Sequence, residues 1–269
     1  MQVYLTLQPP TLQSELLDSN YQYREFLPSK GLEPYVACYW TVDSYASDNN
    51  KLHRIIPDGC VDIIFDLRAL SLSKGAIVAG LMTTFETINL TTNYSLFGIR
   101  FFSDKVRQFL RYPVSELTGY NVFLEDIWGR EAELIVDEVQ SANGVSEMME
   151  RVELKLLKVL LNNETQSDQL LQSSMHYMIA SQGMISIRNL AEKLSYSERN
   201  VRRTFQKELG VSPKELLGII RFQCLLQELN KGTLSHFTDI AVKYGYYDQP
   251  HFIHNFKRFY GLTPNQVFN

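Results

Sequence analysis

A cluster of cationic and amide side chains near the carboxyl end could bind a polyanion. Within nine residues the sequence places four basic side chains, with an asparagine and a glutamine among them. Arginine can form paired hydrogen bonds with a guanine edge, and asparagine can do so with adenine. The residues are Arg199, Asn200, Arg202, Arg203, Gln206 and Lys207. Their types predict contacts with base edges and phosphates of duplex DNA.

A second cluster of similar composition follows about fifty residues later. It contains amides, histidines and two basic side chains, namely Gln249, His251, His254, Asn255, Lys257 and Arg258. Lysine and arginine at such positions bind phosphates and carry affinity, whereas the amides and histidines can reach base edges. Histidine is mostly neutral at pH 7. We therefore expect the first cluster to carry more of the binding.

Two copies of one motif position these clusters. Residues 191–213 and 241–264 align, with one extra residue in the second copy. An internal repeat of this kind indicates one supersecondary unit used twice. In each copy, a small residue on a first helix (Ala191, Ala241) is followed by a turn and an N-cap residue (Ser197, Asp248).

The second helix of each copy carries an apolar stripe at intervals of four residues. The stripes consist of Val201, Phe205 and Leu209 in the first copy and Phe252, Phe256 and Tyr260 in the second. Gly210 and Gly261 end these helices. A long apolar helix from residue 213 to about residue 231, with Gly232 as its stop, joins the copies. The pattern predicts two helix–turn–helix units whose second helices enter adjacent major grooves.

The motif carries a family resemblance. The runs IRNLAEKLSYSERNVRRTF from Ile187, GVSPKELLGIIRF from Gly210 and DIAVKYGYYDQPHFIHNFKRFYGLTP from Asp239 resemble the DNA-binding domain of the AraC/XylS family of bacterial transcription regulators. The match covers a little over a third of the chain. Where the family usually has a small hydroxyl residue and then arginine, this chain has Ile253 and His254. The resemblance implies a double-stranded DNA partner, and RNA polymerase as a second partner if the protein activates transcription.

Charge divides the chain into two parts. Residues 1–164 hold 14 Lys and Arg against 22 Asp and Glu, whereas residues 165–269 hold 12 against 8. A basic half joined to an acidic half suggests that one half binds nucleic acid. The polar run at residues 163–168 predicts a linker. We therefore predict an α+β, two-domain protein with a first domain at residues 1–162 and an all-α domain at residues 169–269.

The first domain is predicted to be rich in β-strands. Aromatic and β-branched runs alternate with turns, of which Pro57, Asp58 and Gly59 form the clearest. Short, evenly spaced strands predict a barrel or a sandwich. The runs LEPYVACYW and RIIPDGCVDIIF are similar to an N-terminal domain on one group of AraC-type regulators. This resemblance implies a sensor module, with a cupin-like barrel as one form, and leaves its ligand-binding residues and effector unassigned.

Three aspartates and three cysteines in this chain could suggest other chemistry. Asp58, Asp62 and Asp66 are interpreted as a turn and a solvated strand edge, and Cys60 as a small core residue. The cysteines are few and far apart, which predicts a reducing compartment without a disulfide or zinc framework. We predict no catalytic residue, no metal and no cofactor. The enzymatic alternative is a DNA-repair alkyl acceptor, which needs four cysteines for its zinc.

Residues 101–162 are predicted to be helical, after an irregular arm at residues 1–30. The amphipathic helix at residues 145–161 is interpreted either as a homodimer face or as packing on its own domain. No apolar run long enough to span a membrane and no signal peptide are found, so the cytoplasm is expected. The sequence thus predicts a regulator whose first domain senses a small-molecule effector or dimerises, with a ligand-free regulator controlled by protein–protein contacts as the alternative.

Overall fold

The protein folds as a strand-rich N-terminal domain followed by a helical C-terminal domain. A computed structural model describes residues 4, 6–13, 21–45, 52–89, 93–162, 168–231 and 237–268. We call residues 21–161 the N-terminal domain, residues 168–268 the C-terminal domain and residues 4–13 the arm. The α+β fold class predicted from the sequence is confirmed.

The N-terminal domain is built on an open antiparallel sheet of six strands, in the order β1-β2-β7-β4-β5-β8, with β3 and β6 forming a separate pair. The strands are β1 Tyr21–Phe26, β2 Val36–Ser44, β3 Leu52–Ile55, β4 Cys60–Asp66, β5 Ala76–Ala79, β6 Glu86–Asn89, β7 Tyr94–Phe102 and β8 Asn121–Phe123. Among the strands that the structure describes, β1 and β8 do not pair with each other. The sheet therefore does not close into a barrel.

Side chains alternate between the two faces of this sheet, as the period of a strand requires. One face is apolar and buried, with Ile63 opposite Ile99 and Phe65 opposite Phe97 on β4 and β7. The other face carries polar groups, and there Asp62 lies opposite Arg100. A cavity lies between this polar face and the β3–β6 pair.

Helices of the N-terminal domain cover the apolar face. They are α2 Arg107–Leu110, α3 Leu124–Trp128, α4 Arg130–Gln140 and α5 Val145–Leu161; the arm contributes α1 Pro9–Leu12. The apolar stripe of α5, formed by Met148, Val152 and Leu156, is buried in the core of its own chain. Of the two interpretations of this helix, packing on its own domain is the one that the structure contains.

The C-terminal domain contains the two predicted helix–turn–helix units. Its helices are α6 Gln169–Ala180, α7 Ile187–Leu194, α8 Glu198–Leu209, α9 Pro213–Asn230, α10 Phe237–Lys243, α11 Gln249–Tyr260 and α12 Pro264–Phe268. In the first unit the turn residue Ser195 adopts the left-handed conformation that Gly245 adopts in the second. The long helix α9 lies in the core between the units, with Leu216 and Ile220 fully buried.

Some predictions from the sequence need correction or fall elsewhere. Residues 1–30 are not all an irregular arm, since Tyr21–Phe26 forms strand β1. Residues 163–167 of the predicted linker and the predicted helix stop Gly232 lie outside the described residues. In the described part of the chain, each helix is too short or too polar to cross a membrane.

Candidate DNA interface and the cavity behind it

Helix α8 presents a basic row to solvent because its other face is locked into the core. Val201, Phe205 and Leu209 are fully buried, and the hydroxyl of the N-cap Ser197 accepts a hydrogen bond from the Asn200 amide at 3.2 Å. The remaining positions must therefore point outward. The exposed side chains are Arg199, Arg202, Arg203, Gln206 and Lys207, with Asn200 half-buried.

Ion pairs within α8 are weak enough to be exchanged for a ligand. The Arg202 guanidinium lies 3.0 Å from Glu198 one turn earlier, and both side chains are about half exposed. Pairs of this kind contribute about 0.3–0.5 kcal/mol. In the described part of the chain, Arg199 and Arg203 have no carboxylate partner. All three arginines are therefore available to a phosphate or a base.

Helix α11 repeats this arrangement with fewer fixed charges. Its buried side is formed by Phe252, Phe256 and Tyr260. Its exposed side chains are Gln249, His251, His254, Lys257 and Arg258. Asn255 is half-buried and donates to the His251 carbonyl at 3.0 Å, and Arg258 lies 2.8 Å from Glu215 of α9. These contacts engage Asn255 and Arg258 within the chain, which leaves Lys257 as the more available phosphate contact on this helix.

The carboxyl end of α8 is docked on the N-terminal domain. Ser115 donates to the Lys207 carbonyl and Thr118 to the Leu209 carbonyl, each at 2.6 Å. Glu208, 4% exposed, pairs with Arg107 of α2. These side chains satisfy helix carbonyls that would otherwise lack partners. The first recognition helix is thus held by the N-terminal domain, a role for Glu208 that the sequence did not predict.

The arm and helix α9 form a second joint between the domains. Gln223, a fully buried side chain of α9, accepts from the Leu7 amide at 2.8 Å. Its amide group donates to the Leu7 carbonyl at 3.2 Å and to the Pro57 carbonyl at 3.0 Å. One residue further, the Asp58 carbonyl accepts from Tyr4 at 3.0 Å. Gln223 therefore connects the C-terminal domain to the 57–59 turn.

The 57–59 turn borders the cavity of the N-terminal domain. The cavity has a volume of about 490 Å³, in the range of small-molecule sites. Its walls include Tyr21, Trp40 and Val42 from the sheet and His53 from β3. Trp40 lies across Gly98, where a β-carbon would overlap the indole ring. Glycine at this position is what allows the ring to lie flat against the sheet.

The floor of the cavity is a buried ion cluster around Arg100, which is 3% exposed. Its Nε lies 3.0 Å from Asp58 and 3.4 Å from Asp62, and its Nη1 lies 3.5 Å from Glu25. The Nε contacts lack good hydrogen-bond geometry and are ion pairs. Asp58 and Asp62 were predicted to lie on a turn and a solvated strand edge. That prediction is wrong in part: both carboxylates face the cavity, since strand pairing sets Asp62 opposite Arg100.

Titration properties follow from this burial. Desolvation raises the pKa of Asp62 to about 6, against the attraction of Arg100 and with repulsion from Asp58. Desolvation also raises the pKa of Cys38 to about 12 and that of Cys60 well above its usual range. These thiols stay protonated at neutral pH, so they are poor nucleophiles. Cys60 is buried, as predicted for a small core residue.

In the described residues, no group of His, Cys, Asp and Glu side chains could hold a metal ion.

Two family models match the chain. A domain of unknown function (DUF6597) matches residues 24–123, and a helix-turn-helix domain matches residues 190–269. The first contains the sheet except the start of β1, and most of the residues that line the cavity. The second begins on α7 and contains both recognition helices.

Two curated relatives match parts of the chain. An uncharacterized HTH-type transcriptional regulator of Haemophilus influenzae is 36% identical over 83 residues, 30% of this chain and 26% of that protein. The XylDLEGF operon transcriptional activator 3 of Pseudomonas putida is 23% identical over 183 residues, 61% of this chain and 51% of that protein. The chain thus matches about half of the operon activator and about a quarter of the Haemophilus protein.

Solved structures with a similar arrangement include ToxT from Vibrio cholerae. One form covers 93% of this chain and 98% of ToxT, with 14% identity and a TM-score of 0.41. A second, unsaturated fatty acid bound wild-type ToxT, has a TM-score of 0.39. The chain therefore combines an N-terminal DUF6597 domain with a C-terminal helix–turn–helix domain of the AraC type.

Proposed function

We propose that the protein is a sequence-specific DNA-binding transcription regulator whose N-terminal domain senses a small molecule. The observation that carries this proposal is the repeated recognition helix: α8 and α11 bury equivalent apolar stripes and expose equivalent rows of basic and amide side chains. A duplex partner supplies the regularly spaced phosphates and base edges that such rows fit. The proposed boundaries are residues 1–162 for the sensor, 163–168 for the linker and 169–269 for the DNA-binding domain.

The proposed contacts divide by chemistry. Arg199, Arg202 and Arg203, with Asn200 and Gln206, read base edges from α8, and Gln249, His251 and His254 read them from α11. Lys207, Lys257 and Arg258 contact phosphates, with Asn255 supporting α11 from its half-buried position. Base contacts supply specificity, whereas phosphate contacts supply salt-dependent affinity.

Arg203→Ala should weaken binding to a preferred duplex by about 1–3 kcal/mol and relax its sequence preference. The duplex is first selected from random double-stranded DNA with the full chain, and binding is then titrated at several salt concentrations.

Lys257→Ala should weaken binding to preferred and random duplexes alike and reduce the salt dependence of binding by about one counterion.

Arg130→Ala serves as the matched control, because Arg130 is an exposed arginine on α4 of the N-terminal domain. Its binding should equal that of the unchanged protein. If Arg203→Ala and Lys257→Ala both bind the selected duplex as tightly as Arg130→Ala does, α8 and α11 do not form the interface.

The cavity favours a small-molecule sensor over a ligand-free regulator. A domain that only contacts another protein would be expected to have a filled interior. Here buried polar groups, including Asp58 and Arg100, line an open volume of about 490 Å³. The same Asp58 lies next to Pro57, whose carbonyl is bound by Gln223 of α9. A structural change at Asp58 can therefore reach the DNA-binding domain through the peptide bond to Pro57 and the hydrogen bond between Pro57 and Gln223.

Gln223→Leu should break this route while leaving the recognition helices in place. Coupling between two sites is reciprocal, so DNA bound to the C-terminal domain should change the stability of the structure around the cavity in the N-terminal domain. We expect the selected duplex to slow amide hydrogen exchange at residues 57–66 and 94–102 in the unchanged protein. In Gln223→Leu, which still binds the duplex, this slowing should be lost.

Gln140→Leu is the matched control for that experiment. Gln140 also donates from a side-chain amide to two backbone carbonyls, those of Asp66 and Ala69, but both lie within the N-terminal domain. It should retain the DNA-dependent change in exchange. Equal changes in the unchanged protein and in Gln223→Leu would exclude this joint as the route.

A further inference from the structure

We propose that the cavity binds an organic cation, with an ammonium, amidinium or guanidinium group against Asp58 and Asp62 and a carbon body against Trp40 and Tyr21. This inference rests on the proposed sensory role of the N-terminal domain and names the class of its ligand. It is carried by the charge of the cavity floor, by the aromatic walls and by the size of the space.

The floor has more negative than positive groups. One guanidinium, that of Arg100, faces three carboxylates within 3.5 Å, those of Asp58, Asp62 and Glu25. Asp58 and Asp62 line the cavity. Asp58 accepts hydrogen bonds from the Cys60 amide at 2.9 Å and from Gln8 at 3.1 Å, whereas one Asp62 oxygen, 3.4 Å from Arg100, is buried without a hydrogen bond. Buried carboxylates in excess of their counter-ions are costly in a medium of low dielectric constant. A ligand that brings a positive charge and N–H donors would remove this cost.

The walls next to this floor are aromatic. The Tyr21 ring stacks on His53 with 3.6 Å between ring centres, and Tyr23 lies 6.4 Å from Trp40. Trp40 and Tyr21 line the cavity, and both side chains are well packed, with 6% and 7% exposure. Aromatic faces attract cations, most strongly where water is excluded. The same surfaces offer dispersion contact to the carbon body of the ligand.

Basic side chains also line the cavity, which makes an anionic ligand the competing outcome. Lys74 lies at the exposed rim, with its ammonium 5.9 Å from the centre of the Phe123 ring. Arg54 is half-buried on β3, in the opposite wall. Neither lies on the floor, where Arg100 is already paired with the acidic groups. The floor therefore selects for positive charge, whereas an anion would contact Lys74 at the rim and Arg54 in the wall, whose Nε is buried without a hydrogen bond in the described part of the chain.

Cation binding should be linked to proton release. Burial raises the pKa of Asp62 to about 6, and a cation favours the ionised carboxylate. The charged and titratable groups around it are Arg100 of β7, Asp58 of the 57–59 turn, Glu25 of β1, Cys38 of β2 and Cys60 of β4, with His53 and Arg54 of β3 across the cavity. Affinity should therefore rise about tenfold between pH 5 and pH 7 and become constant above that range.

Intrinsic fluorescence provides a direct assay without DNA. The chain has two tryptophans, and Trp128→Phe leaves Trp40 as the reporter in the cavity wall. Benzylammonium, benzamidinium and benzyltrimethylammonium are titrated against benzyl alcohol and benzoate, which share the ring. We expect at least one cation to bind about tenfold more tightly than benzyl alcohol, and benzoate to bind more weakly still.

Asp62→Asn should remove that preference and flatten the pH dependence, whereas Asp126→Asn, an exposed carboxylate on α3, should change neither. Tighter binding of benzoate, equal binding of all five probes, or no binding by any cation would overturn the proposal. So would a pH dependence that persists in Asp62→Asn, since a group other than Asp62 would then be its source. None of these outcomes depends on DNA binding, so the proposed regulator function and the ligand class fail separately.

Discussion

Arg100→Leu should lower the free energy of unfolding by about 3–5 kcal/mol at pH 7, the cost of removing one partner from a buried ion cluster. Arg100 is 3% exposed, and its guanidinium is the charge that compensates Asp58, Asp62 and Glu25. Leucine fills part of the volume but leaves the carboxylates without a counter-ion. Urea denaturation followed by circular dichroism measures the loss.

The pH dependence of this loss has a defined sign. The pKa of Asp62 is about 6 in the folded protein, above its ordinary value, so Asp62 favours folding most below about pH 4. This contribution is lost as the pH rises through 6. Removing Arg100 raises the pKa of Asp62 further, so the difference between variant and unchanged protein should be smaller at pH 5 than at pH 8.

A double-mutant cycle separates the charge effect from packing. Asp62→Asn in the Arg100→Leu background should recover about 1 kcal/mol or more at pH 8, because one uncompensated charge is removed. Arg100→Lys keeps the charge and should lose less than Arg100→Leu. A loss that is the same at pH 5 and pH 8, and the same in both backgrounds, would show that the cluster is not held by charge.

The C-terminal domain could be predicted from the sequence because its information is local. The stripe of Val201, Phe205 and Leu209, the cap Ser197 and the stop at Gly210 all lie within fourteen residues. Helical period and capping act over that distance. The duplication then gave a second, independent reading of the same pattern. The period predicted the exposed side chains of α8 and α11, except that Asn200 and Asn255 are half-buried.

The cavity could not be predicted, because it depends on pairing between distant strands. Asp62 and Arg100 lie 38 positions apart and meet only because β4 pairs with β7 in one register. The aspartates were therefore assigned to solvent. One signal was present: Arg100 is the lone charge in the apolar strand β7, and a charge in such a strand needs a partner. The sequence did not identify that partner.

The joints between the domains were missed for a similar reason. Gln223 sits in an apolar helix, where a single glutamine does not indicate what it binds. Its partners, Leu7 and Pro57, lie more than 160 positions away. Glu208 likewise lies beside the buried stripe of α8, and the sequence does not indicate that Arg107 is its partner. Long-range contacts of this kind follow from the tertiary fold and not from a repeat or period.

Gly80→Ala should lower the free energy of unfolding by about 3 kcal/mol, at the upper end of the cost of overpacking. Gly80 follows β5, and its amide donates to the Tyr120 carbonyl at 3.0 Å. A β-carbon there would overlap the carbonyl oxygen and carbon of Leu117, which are backbone atoms. No rotation of a side chain relieves such an overlap, so the 80–81 and 117–120 segments must separate.

That separation should also weaken the contact with α8, because the second segment includes Thr118, whose hydroxyl donates to the Leu209 carbonyl at 2.6 Å. Thermal unfolding and affinity for the selected duplex are measured together, with Gly31→Ala as control. An added β-carbon at Gly31 would meet the side chain of Leu157 at an ordinary van der Waals distance of 3.5 Å, and the φ of Gly31 lies outside the left-handed region. Alanine at that position should change the free energy of unfolding by no more than about 1 kcal/mol and leave DNA binding unchanged. If Gly80→Ala loses no more stability than Gly31→Ala, the close approach of Leu117 does not explain the glycine at position 80.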